Sequence, residues 1–199
     1  NSLTFSTGTQ KHQTYFSAAT TNARNILPNS GYNRYNFTFR DVTKFLKDKL
    51  TVDLSASYIL QDNKNMIAAG KYFNPLPALY LFPRGDDFDN VRLYQRWDES
   101  RNLYTQAWDY GSGDMSFQNP YWIMNKMINQ TKKRRYMLSA NLKYDVTDWL
   151  DVTGRVKVDN ADMDITEKRY AGTDTNFAGE KGMYSIIKRN DRQIYADAI

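Results

Sequence analysis

The sequence predicts an all-β protein in which about seven antiparallel strands form part of a transmembrane β-barrel. The first indication is a pair of alternating stretches, 136–146 and 150–159, on either side of a short polar turn. The second is the length of the best strands, because about ten residues match the roughly 9–11 that a tilted strand needs to cross a bilayer. The third is the order of the connections, in which short turns alternate with long loops.

The two alternating stretches form the clearest predicted hairpin. Apolar or small residues occupy every second position, and the residues between them are mostly polar or charged. Such alternation is typical of strands whose two faces meet different environments. We assign the apolar row to lipid and the polar row to a wet lumen. The predicted lipid-facing residues are Leu50, Val52, Leu54, Leu138, Leu142, Val152 and Val156, and the predicted lumen-facing residues are Asp53, Asn141, Lys143, Arg155 and Lys157.

Two tyrosines add to this interpretation of the hairpin. Tyr136 and Tyr144 lie near the ends of the apolar row, where membrane barrels carry girdles of aromatic residues. A half-exposed sheet of a soluble β-protein would show the same alternation. The hairpin alone therefore leaves both interpretations open.

Four strands are predicted before residue 63. They cover 2–7, 13–21, 34–45 and 50–61, and the last alternates most regularly. The turns at 8–11 and 46–49 are short, whereas the Asn-rich stretch 22–33 is predicted to be a loop. A further loop near 167–182 and a last strand region, 183–199, follow the hairpin.

Residues 63–130 interrupt the alternation with four prolines and clustered aromatic residues. Loops longer than about 15 residues are usually functional or disordered, and the aromatic content argues against disorder. Short helical turns are predicted at 100–107 and 121–128.

We expect this insertion to carry the substrate site. The candidate substrate-binding residues are Arg84, Trp97, Trp108, Tyr110, Tyr121 and Trp122, whose rings and guanidinium group suit sugars. The alternative is that these aromatic residues form the insertion's own core or contact a partner protein.

The alternation of connections puts all short turns at one end of an up-and-down sheet and all long loops at the other. Outer-membrane barrels have short periplasmic turns and long extracellular loops. This sorting favours a barrel over a soluble sandwich. Seven strands do not close such a barrel, and open edges are not viable in lipid. We therefore expect the chain, which shows no signal peptide, to be an internal fragment.

Composition argues against several other classes of protein. The 27 basic and 22 acidic residues are interspersed, and the net charge of +5 is too mild to indicate nucleic-acid binding. The chain has no cysteine, and its single histidine cannot form a metal site by itself. The acidic stretch 86–89 matches no calcium-loop spacing, and we discount the glycine pair at 111–113 as a phosphate loop. We expect no enzymatic activity, no metal and no cofactor.

Several stretches, in order along the chain, resemble the SusC/RagA family of TonB-dependent outer-membrane transporters. They are HQTYFS at 12–17, YFNPL at 72–76, LYLFPRG at 79–85, QNPYWI at 118–123, DWL at 148–150 with GRV at 154–156, and KRYA at 168–171. Together they span nearly the whole chain. The resemblance implies a large barrel with an amino-terminal plug, located in the cell outer membrane of a Gram-negative bacterium of the Bacteroidota.

The resemblance also implies partners and a transport function. A SusD-like surface lipoprotein would act as a lid, and TonB would supply energy through the plug region, which this chain lacks. The cargo would be a glycan or a peptide, and the other expected contact is outer-membrane lipid. We therefore expect 1–199 to be part of one β-barrel domain with an extracellular insertion at about 63–130. The alternative is a soluble β-rich carbohydrate-binding or surface adhesion module.

Overall fold

One seven-stranded antiparallel sheet dominates the computed structural model, which describes residues 1–110 and 117–199. Its strands are β1 (Ser2–Gly8), β2 (His12–Arg24), β3 (Gly31–Phe45), β4 (Leu50–Lys64), β7 (Met127–Thr147), β8 (Leu150–Arg169) and β9 (Met183–Ala198). They pair in the order β1-β2-β3-β4-β7-β8-β9, which leaves β1 and β9 at the two edges. The prediction of an all-β chain with seven antiparallel strands is confirmed.

The register of the sheet explains why the alternation in the sequence was informative. Leu138 of β7 lies opposite Ala56 of β4 and Val158 of β8. Directly opposed residues of antiparallel strands point to the same face. The apolar positions of successive strands therefore collect on one side of the sheet, and the polar positions collect on the other.

Several strands extend further than the sequence predicted. β7 has 21 residues and β8 has 20, although the apolar alternation covers only about half of each. The added portion of β7 includes the run 132–135, which is charged on both faces. Cross-strand ion pairs with β8 stabilise it, including Arg134 with Asp164 at 3.2 Å. The predicted loop 22–33 shortens to 25–30 because β2 and β3 extend into it.

The connections are sorted by length in this sheet. The short ones are 9–11, 46–49 and 148–149, and the long ones are 25–30, 65–126 and 170–182. Since consecutive strands are antiparallel neighbours, the short connections all lie at one end and the long ones at the other. We call these ends the short-turn end and the long-loop end.

The insertion between β4 and β7 has secondary structure of its own. It contains α1 (Pro75–Tyr80), α2 (Asp89–Arg92), β5 (Gln95–Asp98), β6 (Leu103–Gln106) and α3 (Pro120–Lys126). The helical turn predicted at 121–128 corresponds to α3. The one predicted at 100–107 is wrong, because β6 pairs with β5 as a hairpin. The glycine pair at 111–113 lies outside the described residues, and within 1–110 and 117–199 no helix is long and apolar enough to span a membrane.

The hydrophobic core lies at the long-loop end, beside the insertion. Trp122 and Ile123 of α3 pack with Met127 at the start of β7 and Phe177 of the 170–182 loop. Gly172 brings this loop against β6, since a β-carbon there would lie 2.2 Å from the carbonyl oxygen of Tyr104. The insertion and the 170–182 loop therefore form one packed unit on top of the sheet.

Candidate functional site

One face of the sheet carries a continuous apolar band. In its middle row Leu54 lies opposite Ala140, which in turn lies opposite Val156. These side chains are not covered by the rest of the described chain: Leu54 is 44% exposed and Val156 is 49% exposed. All of the predicted lipid-facing residues lie on this face, namely Leu50, Val52, Leu54, Leu138, Leu142, Val152 and Val156.

Aromatic side chains border the apolar band at both of its ends. Tyr58 and Tyr136 face each other across β4 and β7 towards the long-loop end. Tyr144 lies towards the short-turn end, opposite Leu50, and Trp149 occupies the adjoining turn. Both borders follow the pattern of interfacial girdles.

The opposite face is polar and rich in ion pairs. Arg40 contacts Asp53 through two hydrogen bonds of 2.8 and 3.0 Å, and Arg155 pairs with Asp197 in the same two-pronged way. The Ser55 and Ser139 hydroxyls lie 2.7 Å apart. All of the predicted lumen-facing residues lie on this face, namely Asp53, Asn141, Lys143, Arg155 and Lys157. A face with this many charges requires water or polar protein beside it.

Trp122, one of the candidate substrate residues, is a core residue in this structure. It is 1% exposed, and its indole N–H donates to the Thr173 hydroxyl at 3.0 Å. Tyr94 packs edge-on against it at a ring distance of 6.4 Å. Its neighbour Tyr121 is half-buried in the first turn of α3. The position of Trp122 supports the alternative in which aromatic residues form the insertion's own core.

Trp108 and Tyr110 belong to a row of aromatic rings within the insertion. Tyr110 contacts Trp108 at 5.1 Å and Phe82 at 4.8 Å, and Phe82 contacts Phe88 at 5.6 Å. Trp108 and Tyr110 are both half-buried. Their rings therefore pack mainly on one another, and only part of each ring is accessible to a ligand.

Trp97 is the most exposed tryptophan of the candidate site. It lies directly opposite Tyr104 in the β5–β6 hairpin, with the rings edge to face at 5.1 Å. Trp97 is 50% exposed and Tyr104 is 52% exposed. Exposed aromatic faces of this kind can stack on sugar rings or on a partner's apolar side chains.

The structure places the candidate substrate-binding residues in separate parts of the insertion. Among the described residues no ring-to-ring contact joins Trp97 to the Trp108–Tyr110 row or to α3. Arg84 is exposed and forms no ion pair within 1–110 and 117–199. Sequence reasoning missed Tyr104 because only the pairing with Trp97 gives it a role. The sequence did carry a local signal for the turn of this hairpin, because Asp98 and Ser100 are of residue types that favour turns. In the structure Asp98 accepts hydrogen bonds from Ser100 and Arg101 in that turn.

The acidic stretch 86–89 has roles within the protein. The Asp87 carboxylate accepts a hydrogen bond from the amide of Asp89 at 2.9 Å, and Asp89 pairs with Arg92 at 3.0 Å. In the described part of the chain, no group of three or more His, Asp or Glu side chains is arranged to hold a metal ion. Asp86 contacts the Tyr110 phenol.

The Tyr110 phenol is expected to ionise above the normal range for tyrosine. Burial and the negative charge of Asp86 raise the pKa of Tyr110 above 10.0, and the other nearby carboxylates act in the same direction. The pKa of Tyr110 is higher in the folded protein than in the unfolded chain. The contribution of Tyr110 to the free energy of unfolding is therefore complete below pH 10 and is lost as the pH rises through the folded pKa. A difference titration of wild type against Tyr110→Phe, followed by tyrosinate absorbance, should show the missing ionisation above pH 10. Asp86→Asn should move this ionisation to lower pH, and an unchanged position would contradict the assignment.

No protein-family model and no curated protein sequence matches this chain. A function must therefore be inferred from its own residues. The features available are a sheet with one apolar and one charged face, and an aromatic insertion at the end where the long loops lie.

Proposed function

We propose that this chain is part of the wall of an outer-membrane β-barrel that imports nutrients. The observation that carries the proposal is the apolar band, which crosses the sheet and is bordered by aromatic residues on both sides. Leu142, at 50% exposure, is typical of its residues. Monomeric soluble proteins rarely expose contiguous apolar patches larger than a few hundred Å². A lipid environment removes the cost of exposing such a surface.

The dimensions of the band fit a bilayer. From Leu50 to the aromatic border at Tyr58 on β4 the chain rises about 27 Å at roughly 3.4 Å per residue. A strand tilt of about 40° reduces this rise to a height of about 21 Å, slightly below the roughly 25 Å apolar band of outer-membrane barrels. The lengths of these strands therefore suit a bilayer crossing.

The charged face and the open edges fit the same proposal. In a barrel the ion pairs of Arg40 with Asp53 and Arg155 with Asp197 face a wet lumen. The edges at β1 and β9 then pair with further strands of the same wall, because unpaired backbone groups are not tolerated in lipid. The long-loop end becomes the extracellular side.

The insertion is then the part that meets cargo. Its exposed Trp97–Tyr104 pair offers flat apolar faces, which suit a glycan or an aromatic side chain of a peptide. The SusD-like lid and the TonB connection through a plug domain rest on the resemblance to SusC/RagA transporters. A soluble carbohydrate-binding or adhesion module is the second candidate, and it requires a second layer of protein over the apolar band.

Labelling of single cysteines tests the proposal directly. We expect cysteines at Leu138 and Leu142 to react with a lipid-phase probe in native membranes. Cysteines at Asn141 and Lys143 should react with a water-soluble probe, because they lie on the opposite face of the same strand. The protein is expressed from its complete gene in its own host.

The matched pairs make the outcome decisive. Leu142 and Lys143 are adjacent in the chain, so they share depth and differ only in face. Labelling of both positions by the same probe, or recovery of the protein in the soluble fraction, would exclude the barrel. The carbohydrate-binding module would then become the leading candidate.

A further inference from the structure

Positive charges are concentrated on the apolar face of the sheet at its aromatic border and just beyond it. Past Tyr136 on β7, the next residues on the same face are Arg134 and Lys132. On β9, Lys188 lies in the row of Lys132, and Arg192 lies in the row of Tyr136 itself. The four cations therefore occupy three rows at the long-loop side of the band, of which the Tyr136 row is the first.

The carboxylates of this region are already engaged. Asp164 of β8 pairs with Arg134 at 3.2 Å. Asp162 accepts hydrogen bonds from the Asn190 amide at 2.6 Å and from Asn160 at 3.2 Å. Asp62 of β4 lies opposite Lys132 and accepts two hydrogen bonds from the Gln130 amide, at 2.8 and 3.0 Å. With Asp62 included, four cations face three carboxylates here, an excess of one positive charge.

The part of the chain that the structure describes leaves three of the four cations without an ion-pair partner. Lys132, Lys188 and Arg192 form no ion pair within 1–110 and 117–199, and all three side chains are exposed. Long basic side chains that are exposed and unpaired are free to reach an anion beside the sheet.

The charges are confined to one part of the face. The same three rows on β2, β3 and β4 contain no lysine or arginine; instead they carry Asn22, Asn33, Asp62, Thr20, Tyr35, Leu60, Ala18, Phe37 and Tyr58. A solvated rim would not require such a bias. The asymmetry indicates a ligand that approaches the β7–β9 side.

We infer that Lys132, Lys188 and Arg192 bind the phosphate groups of a phosphorylated glycolipid in the outer leaflet. This inference rests on the proposed barrel, in which the tyrosine row marks the depth where lipid head groups begin. Basic side chains at that depth attract phosphates, and a guanidinium group can bind them in a two-pronged way. The ligand is a membrane lipid because the cations share a face with the apolar band, where acyl chains would pack.

The test compares neighbouring residues on opposite faces. In the protein purified from its complete gene, the double variant Lys132→Gln/Lys188→Gln removes two charges from the lipid side. Lys133→Gln/Arg189→Gln removes the same charge from the other face, one residue further along each strand. Binding of phosphorylated lipid A to each is measured by titration in detergent, with dephosphorylated lipid A and inorganic phosphate as further ligands.

We expect the first variant to weaken binding of phosphorylated lipid A on the order of 30-fold, and the second to change it less than about threefold. Equal weakening in both variants would overturn the inference, as would equal binding of dephosphorylated lipid A. Full competition by inorganic phosphate at matched concentration would assign the site to free phosphate instead. Cysteine labelling at Leu138 distinguishes these outcomes from failure of the barrel: lipid-side labelling with no effect of Lys132→Gln/Lys188→Gln removes only this inference.

Discussion

Replacing Ala140 by arginine is expected to lower the free energy of unfolding of the membrane-inserted protein by about 2–4 kcal/mol. Ala140 lies between Leu54 and Val156 in the middle row of the apolar band. In the proposed barrel, an arginine there cannot reach either aromatic border without distorting the surrounding lipid. The loss of the small alanine side chain contributes little, so the measured change reports the cost of the charge. Denaturant unfolding of the full-length protein in lipid vesicles measures it.

Asn141→Arg is the matched control for this experiment. Asn141 is the next residue of β7 and points to the charged face, opposite Asp53. An arginine at this position meets the Asp53 carboxylate on one side and the Arg155 guanidinium group on the other, with water beside both, so we expect a change below about 1 kcal/mol. A similar cost for both variants would mean that lipid does not contact the apolar band.

Replacing Asn119 by alanine is expected to destabilise the insertion by about 3–5 kcal/mol while the sheet remains intact. Asn119 is completely buried, and its carboxamide oxygen caps α3 by accepting from the amide of Tyr121 at 2.8 Å. Its amide group donates to the carbonyl oxygens of Val91 and Ala107, both at 2.9 Å. Alanine removes the cap and leaves two carbonyl oxygens without their partner. Hydrogen exchange of the insertion's amides measures the opening free energy.

Asn74→Ala is a closely matched control. Asn74 also precedes a proline and caps a short helix, accepting from the amide of Leu76 at 3.0 Å. Among the described residues it bridges no other segments, so we expect a loss of only about 1 kcal/mol. Asn119→Asp separates the two roles of Asn119, because a carboxylate keeps the cap but cannot donate to the two carbonyl oxygens. Equal effects of Asn74→Ala and Asn119→Ala would show that the bridge to Val91 and Ala107 contributes nothing.

The sheet was predictable because its signal is local. The alternation between Leu138 and Tyr144 fixes which residues share a face, whichever strand lies beside them. The strand ends were missed where this contrast disappears. In the run 132–135 both faces are charged, and only the pairing with Asp159 and Asp164 on β8 shows that the strand continues. Such pairing is a property of the fold and leaves no periodic signal.

The insertion was less predictable because its contacts are distant in sequence. The partner of the Trp122 indole is Thr173, 51 residues later, so its burial could not be inferred from the QNPYWI stretch. The β5 and β6 strands have four residues each, too short for alternation to identify them. The candidate substrate residues and the assignment to lipid and lumen remain predictions, and the experiments above are designed to test them.

The insertion leaves and rejoins the sheet at neighbouring points. Asn65, which follows β4, and Asn129 of β7 are joined by two hydrogen bonds of 2.7 and 2.9 Å, immediately beyond Lys64 and Gln130, the last paired residues of β4 and β7. A tight turn at this point could replace the whole insertion and leave β4 and β7 as a simple hairpin. Evolution can exchange such a module without altering the sheet that supports it. The contacts of Trp122 with Thr173 and of Arg101 with the carbonyl oxygen of Glu180 add a condition: the 170–182 loop has to be inherited together with the insertion. We expect relatives with a different insertion to differ in that loop as well.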